Sequence, residues 1–454
     1  MPALPGPARA NDLMTVLRLA DENDPAWRAA IMEQRAAAEA VPQARARLLP
    51  QLNAALGYDY INQNIISSDN QVFATGRSRY PTFQYAVTLE QSLWNFAHWA
   101  NLRRARTQVE GSLAALEAAR QDMILRAVER YLQTVVALEN LESVRAERRS
   151  IERLRDFTRA RAAGGAARTT DALDAEARFL RLTARELEAQ SNVRDATQAL
   201  QEVTGRRFDR LRPLGPTLAT RGPDSRDPEV WVQRALETNP RLMAARLGSV
   251  AAQQEIRRQQ AEFLPRLGLV LEQGQRDARG SLFGGGSNIQ ESFLQLRLNV
   301  PIWQGGVVES RVREARALSG RADQLEIAEQ RALERRARSA LDGVLTSTAR
   351  IQALAASVTA QERVVETLQI TFRSGGVPGQ LVVDAERDLF FNRFELTRAR
   401  QEYVIETLRL KHVVGSLTAE DVAVFNALLA PSSVGLTPGP ANGNGPQAAN
   451  GARR

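Results

Sequence analysis

The chain contains no cysteine, a single lysine (Lys411) and only two histidines, His98 and His412. Without thiols, disulfide scaffolds, thiolate chemistry, Cys-rich zinc sites and lipid attachment to cysteine are excluded. Neither histidine has a second one within ligand spacing, so no metal site and no cofactor is expected. Long apolar runs are missing too: no stretch reaches the roughly 20 residues that a membrane-spanning helix requires. A helical integral membrane protein is thereby ruled out. A β-barrel is not, because its strands alternate and leave almost no hydropathy signal. Proline is absent from Thr82 to Arg212 and from Ile302 to Val377, so nothing in those stretches breaks a helix.

What remains is a chain of 454 residues, 25% charged and 43% hydrophobic, the balance of a folded protein. Its net charge of +8 does not mark a nucleic-acid partner. Arginines alternate with Glu and Asp over Glu142 to Arg155 and Arg331 to Arg338, the pattern of solvated, salt-bridged helices and not of a basic arm. Residues 1–10 hold three prolines and no apolar core, and end in Ala8-Arg9-Ala10; they read as a signal remnant or an extension. Residues 431–454, rich in Gly, Pro and Asn, read as a disordered tail.

The chain repeats itself. Asp24-Pro25 recurs as Asn239-Pro240 and Leu49-Pro50 as Leu264-Pro265, 215 residues on. Trp94 recurs as Trp303 at 209; Asp174-Ala175-Glu176 recurs as Asp384-Ala385-Glu386, and Gly205 as Gly415, at 210. Two structural repeats follow, 11–215 and 229–430, joined by a linker over 216–228. Each opens with a short helix begun by Asx-Pro. Two period-two segments come next, predicting strands over about 51–61 and 82–93, and about 266–274 and 291–301. Long helices are predicted over about 95–163 and 169–204, and about 303–373 and 380–414, with Gly164-Gly165 and Gly375-Gly376 as hairpin turns. Val344, Ile351, Val358, Val365 and Phe372 recur every seven residues, a coiled-coil seam that needs a partner helix.

Four strands with one apolar face leave two raw edges. Closure into a barrel with other copies satisfies every backbone group and suits a lipid exterior. The physics points to a membrane barrel continued by a helical tube; a soluble coiled-coil scaffold without a pore is the alternative from another class.

The motifs that carry a resemblance are Asn11-Asp12-Leu13-Met14, Leu48-Leu49-Pro50-Gln51-Leu52, Leu89-Glu90-Gln91-Ser92-Leu93-Trp94 with Ala97-His98-Trp99, Val300-Pro301-Ile302-Trp303-Gln304-Gly305-Gly306, Thr170 to Ala175 and Leu417 to Asp421. In this order the chain resembles the TolC-type outer membrane channels of Gram-negative bacteria, in the branch serving type I protein secretion; a drug-efflux channel is the rival within the class. The resemblance implies a homotrimer sharing a twelve-stranded β-barrel continued by an α-helical periplasmic tunnel. It also implies a passive role beside a periplasmic adaptor and an inner-membrane ABC or RND transporter, with no chemistry of its own.

Site residues carry over from the resemblance in part. Asp171 stands where the family has its first-hairpin aspartate and Asp384 at one of two entrance aspartates, the other aligning with Leu381. The gate tyrosine aligns with Phe372 and a gate arginine with Val377, so one acidic ring and a more apolar constriction are expected. Read locally, Asp384 would be a helix N-cap, Thr169-Thr170-Asp171 a capping cluster, and Phe372 seam packing. Gly164, Gly165, Gly375 and Gly376 permit the turns and, by the resemblance, meet the adaptor. Trp94, Trp99 and Trp303 read as a membrane-interface belt. Asp59, Glu90, Glu272 and Arg297 fall on polar strand faces that would line the lumen. Gly284-Gly285-Gly286 lacks the lysine of a phosphate loop and reads as a flexible loop.

Overall fold

In the computed structural model, the described residues are 12–67, 76–166, 168–215, 222–281, 285–431 and 434–435. The expected extension over 1–10, linker residues 216–221, Gly284 and the tail beyond Gly435 lie outside them.

The elements run α1 (Leu13–Asn23), α2 (Pro25–Ala38), α3 (Ala40–Ala46), β1 (Gln51–Ile65), β2 (Gly76–Trp94), α4 (Phe96–Ala163), α5 (Thr169–Thr204), β3 (Arg210–Leu211), α6 (Pro228–Thr238) and α7 (Pro240–Gln260). They continue with β4 (Arg266–Ala278), β5 (Ser287–Asn299), α8 (Val307–Arg373), α9 (Gly379–Val414), α10 (Ala419–Asn426) and β6 (Val434–Gly435). Two compact units result, and both repeats contribute to each. A helical unit takes residues 1–31, 116–240 and 330–454; a sheet unit takes 32–115 and 241–329.

In the sheet unit the strands pair antiparallel in the order β1-β2-β4-β5. All four differ from the predicted ranges, mostly by running farther into segments read as loop. For β2 the reason is Pro81. A proline is poorly placed in a central strand, and it makes the alternation look as if it starts at Thr82. Yet the β2–β4 ladder ends at Thr82 opposite Ala278, so Pro81 falls one residue past it; its carbonyl accepts from the Arg279 N–H at 3.0 Å, and Tyr60 stands opposite it on β1. Beyond it the β1–β2 ladder continues as a two-stranded ribbon from Ile61–Tyr80 to Ile65–Gly76, with Asn62, Gln63, Asn64, Arg77, Ser78 and Arg79 between. On the helical side Ala44, Leu102 and Ala105 form a small core, and Arg104 pairs with Glu255 at 3.3 Å.

In the helical unit α4–α5 and α8–α9 are two hairpins. Leu138 and Leu141 pack on Ala189 and Val193. Val344, Ile351, Val358 and Val365 are buried as the heptad spacing requires, but Phe372 is 38% exposed and lies against the next turn. α1 and α6, not predicted, sit on the N-terminal side of each Asx-Pro. Asp24 is buried and accepts from the Arg126 Nε at 3.2 Å; Asn239 is buried and donates its Nδ2 to the Val413 carbonyl at 2.8 Å. The tail is not wholly irregular: Val434–Gly435 pairs with Arg210–Leu211, and the Arg212 guanidinium donates to the Ala430 carbonyl at 2.8 Å.

Candidate functional site: a two-faced sheet and paired hairpin turns

The pairing register sorts the sheet into two faces. One row of register partners reads Leu52, Leu89, Leu271, Leu294 across all four strands. The same face carries Leu56, Tyr58 and Tyr60 on β1, Phe83, Tyr85 and Val87 on β2, Leu267 and Leu269 on β4, and Leu296 and Leu298 on β5. On the two edge strands its leucines are bare: Leu52 is 69% and Leu294 68% exposed. The apolar residues do not follow the rows. The row of Tyr58 and Phe83 ends in Asp277 and Asn288, whereas the row of Leu298 and Leu267 ends at Trp94. The apolar band therefore crosses the strands obliquely, as it does where strands tilt relative to a bilayer.

Asp59, Glu90, Glu272 and Arg297 all fall on the opposite face. There Gln84 Nε2 donates to Asp59 at 3.2 Å and Thr88 Oγ1 to Glu272 at 3.2 Å. Trp94 would share that polar face by strict alternation. A bulge between Ser92 and Trp94 turns it to the apolar side, opposite Leu267. Its ring meets Phe96 edge-on, centroids 5.3 Å apart. Trp99 in the first turn of α4 and Trp303 ahead of α8 are exposed as well.

At the other candidate region, the two hairpin turns are built alike. Gly165 has φ +73° and Gly375 φ +78°. Gly165 N–H donates to Ala162 and Ala166 N–H to Arg161; 210 residues on, Gly375 donates to Phe372 and Gly376 to Thr371. This double closure is a Schellman C-cap, which needs a left-handed residue and so favours glycine. Gly164 still belongs to the last helical turn, donating to the Ala160 carbonyl.

Between the turns lies an open cleft of about 1220 Å³, lined on one side by Leu154, Arg161 and Asp171 and on the other by Phe372 and Val377. The expected N-caps are not formed. Residues Arg168 and Pro378 cap α5 and α9 without a side-chain bond, and Asp171 and Asp384 sit inside the helices. Asp384 instead accepts from Arg178 Nη1 at 2.9 Å, and the same guanidinium reaches Asp174 at 2.8 Å. Arg178 is thus a polar link between hairpins that the sequence reading missed; its Asp-x-x-x-Arg spacing is the only local signal. Phe372 covers Gly379, where a Cβ would come within 3.1 Å of its ring. Leu381 is 46% exposed, one turn before Asp384.

Above the turns α4 and α9 form a polar seam. Ser143 Oγ donates to the Phe390 carbonyl at 3.5 Å, Gln401 Nε2 to Glu139 at 3.0 Å and Arg409 Nη2 to Glu129 at 2.8 Å. His412 meets Asp122 at 2.7 Å. Burial pushes Glu139 up to about 7, against the pull of Arg400 and the Gln401 amide. Among the described residues no cluster of His, Asp and Glu could hold a metal ion, and no helix is long and apolar enough to cross a membrane.

The family profile described as outer membrane efflux protein matches residues 16–206 and 231–416. The outer membrane protein TolC of Vibrio cholerae is 26% identical over 420 residues, 92% of this chain and 94% of that protein. The alkaline protease secretion protein AprF of Pseudomonas aeruginosa is 27% identical over 435 residues, 92% of this chain and 88% of that one. Among solved structures, the CmeC outer membrane channel of Campylobacter jejuni superposes with a TM-score of 0.76 at 17% identity, over 92% of this chain and 90% of CmeC. At that identity the likeness is one of fold.

Proposed function

Because the chain belongs to the outer membrane efflux protein family, we propose that it is the passive outer membrane duct of a tripartite export system. It is an outer membrane protein of a transport family and not of an enzyme family. The finer reading rests on the sheet. A four-stranded sheet with leucines bare on one face, carboxylates and an arginine on the other, and two long edge strands is one third of a barrel wall. Three copies would supply twelve strands, bury every edge and turn the leucines to lipid. The paired helical hairpins would form the periplasmic tunnel.

In this reading Asp59, Glu90, Glu272 and Arg297 line the lumen, and Trp94, Trp99 and Trp303 mark the membrane interface. The constriction is built from Asp171, Asp384, Leu381, Phe372 and Val377, with the Arg178–Asp384 pair as the polar latch that neither Phe372 nor Val377 can make. The turns at Gly164, Gly165, Gly375 and Gly376 meet a periplasmic adaptor, which recruits an inner-membrane ABC or RND transporter to supply the energy. Type I protein secretion is the preferred substrate class, in keeping with AprF and with PrtF of Dickeya chrysanthemi, both named for protease secretion.

The test is fractionation followed by native mass measurement in detergent. A duct partitions with outer membranes at three times the chain's 50.1 kDa, as a heat-sensitive trimer. A soluble scaffold stays in the aqueous fraction without detergent, and that outcome ends the proposal.

A further inference from the structure

The β1–β2 ribbon that outruns β4 carries charge of one sign on its outer face. Past the Tyr60–Pro81 pair the register sets Asn62 opposite Arg79 and Asn64 opposite Arg77. All four share the face of Leu52, Leu56, Tyr58 and Tyr60, and all four are exposed. Their neighbours on the other face, Ile61, Gln63, Ser78 and Tyr80, are half-buried or buried. Arg279 brings a third guanidinium to this corner: it is exposed, and its N–H donates to the Pro81 carbonyl at 3.0 Å.

Many of the chain's arginines are held by carboxylates, as Arg104 is by Glu255 and Arg350 by Glu395 and Glu402. These three are not. Arg79 gives its Nε to the neutral Asn62 amide oxygen at 3.3 Å, and among the described residues no carboxylate pairs with Arg77, Arg79 or Arg279. The one acidic side chain nearby on this face is Asp277, opposite Phe83 and two residues before Arg279. Three guanidinium groups against one carboxylate leave the corner positive.

The place of these charges decides what they meet. β1 starts soon after α3, and β2 runs into α4 with only Asn95 between, so the ribbon lies at the end of the sheet away from those helices. The site rests on the duct proposed above, in which that end opens at the cell surface and the leucine face meets lipid. Tyr58 and Tyr60, 71% and 66% exposed, then stand where the apolar band of β1 ends, the place amphipathic rings take at a bilayer surface. Arg79 and Arg77 follow Pro81 by two and four residues. On a tilted strand that sets them about 5 and 10 Å beyond the last apolar rung, at the depth of lipid headgroups.

A planar guanidinium meets phosphate oxygens with two parallel N–H donors. We infer that Arg77, Arg79 and Arg279 form a site on the outer rim of the barrel for the phosphate of a phosphorylated lipid headgroup in the outer leaflet. Asn62 and Asn64 place amide donors beside it. The occupant is a lipid and not a soluble anion, because the site continues the apolar face: one molecule lays its chains along Leu56 and Tyr60 and its phosphate on Arg79.

Native mass spectrometry of the detergent-purified protein tests this with three probes: lipid A carrying its phosphates, the same lipid dephosphorylated, and inorganic phosphate. Phosphorylated lipid A binds, up to one per copy, and the dephosphorylated form binds far more weakly. The triple variant Arg77→Ser, Arg79→Ser, Arg279→Ser loses about a hundredfold in affinity for phosphorylated lipid A, from the usual contribution of an interfacial arginine. Arg276→Ser, on the lumen face opposite Gln84, leaves it unchanged. Inorganic phosphate in large excess does not displace the lipid. Equal binding of the two lipids by the unaltered chain, or equal affinity in a triple variant that still forms the heat-sensitive trimer, overturns the site and leaves the duct standing. Displacement by inorganic phosphate overturns the lipid as occupant. A monomeric, detergent-free protein overturns the duct and the site together.

Discussion

Glu139 lies in α4 with its carboxylate accepting from Gln401, which is 1% exposed. Burial lifts its pKa from 4.5 to about 7. The folded chain therefore holds this proton where the unfolded chain has released it. Stability from this group is full below about pH 4.5 and is lost as pH rises toward 7, by roughly 3 kcal/mol in all. Glu139→Gln removes that slope, and urea midpoints taken between pH 4.5 and 7.5 measure it; an unchanged slope means another group carries it. Two glycines separate crowding from backbone strain. At Gly415, φ +85°, a Cβ would stand 2.7 Å from Pro240 Cδ and 2.8 Å from the Thr238 carbonyl oxygen; at Gly165, φ +73°, it would touch nothing within 4 Å. Gly165→Ala costs about 1 kcal/mol in urea unfolding, and Gly415→Ala costs about 3 kcal/mol or more. The Arg178–Asp384 pair makes a third case. In single-channel recordings Arg178→Ala raises cation preference by freeing a carboxylate, and Asp384→Asn lowers it. Equal preference in both variants removes Asp384 from the ion path.

At the scale of elements, long periodic stretches declared themselves and crowded junctions did not. The seven-residue spacing from Val344 to Val365 predicts a buried stripe because one helix has one geometry. Pro81 hid six residues of β2 because its neighbour β4 stops at Ala278, and that is a fact about another strand. Trp94 reads as an interface residue by type, but only the bulge explains how an even-numbered position joins an odd-numbered face. Arg178 was invisible for the same reason: its partner lies 206 residues away. The sheet's two faces predict opposite responses to one side chain. Leu296→Arg, on the apolar face, costs about 2–4 kcal/mol if that face meets lipid. Gln295→Arg, one residue away on the polar face, is nearly neutral. The yield of heat-sensitive trimer in outer membranes measures both, and equal yields contradict the assignment of faces.

For the whole molecule, the duplication does more than double the parts. One chain carries one α4–α9 seam, and its four-stranded sheet carries three internal pairings and two outer edges. Closure with further copies, as proposed above, would bury those edges. The most direct measurement is the conductance of the purified protein in a planar lipid bilayer. Discrete, uniform current steps that appear only with the intact oligomer are predicted. A protein that inserts into the bilayer and never conducts, under any voltage or pH at which the helical unit stays folded, contradicts the account.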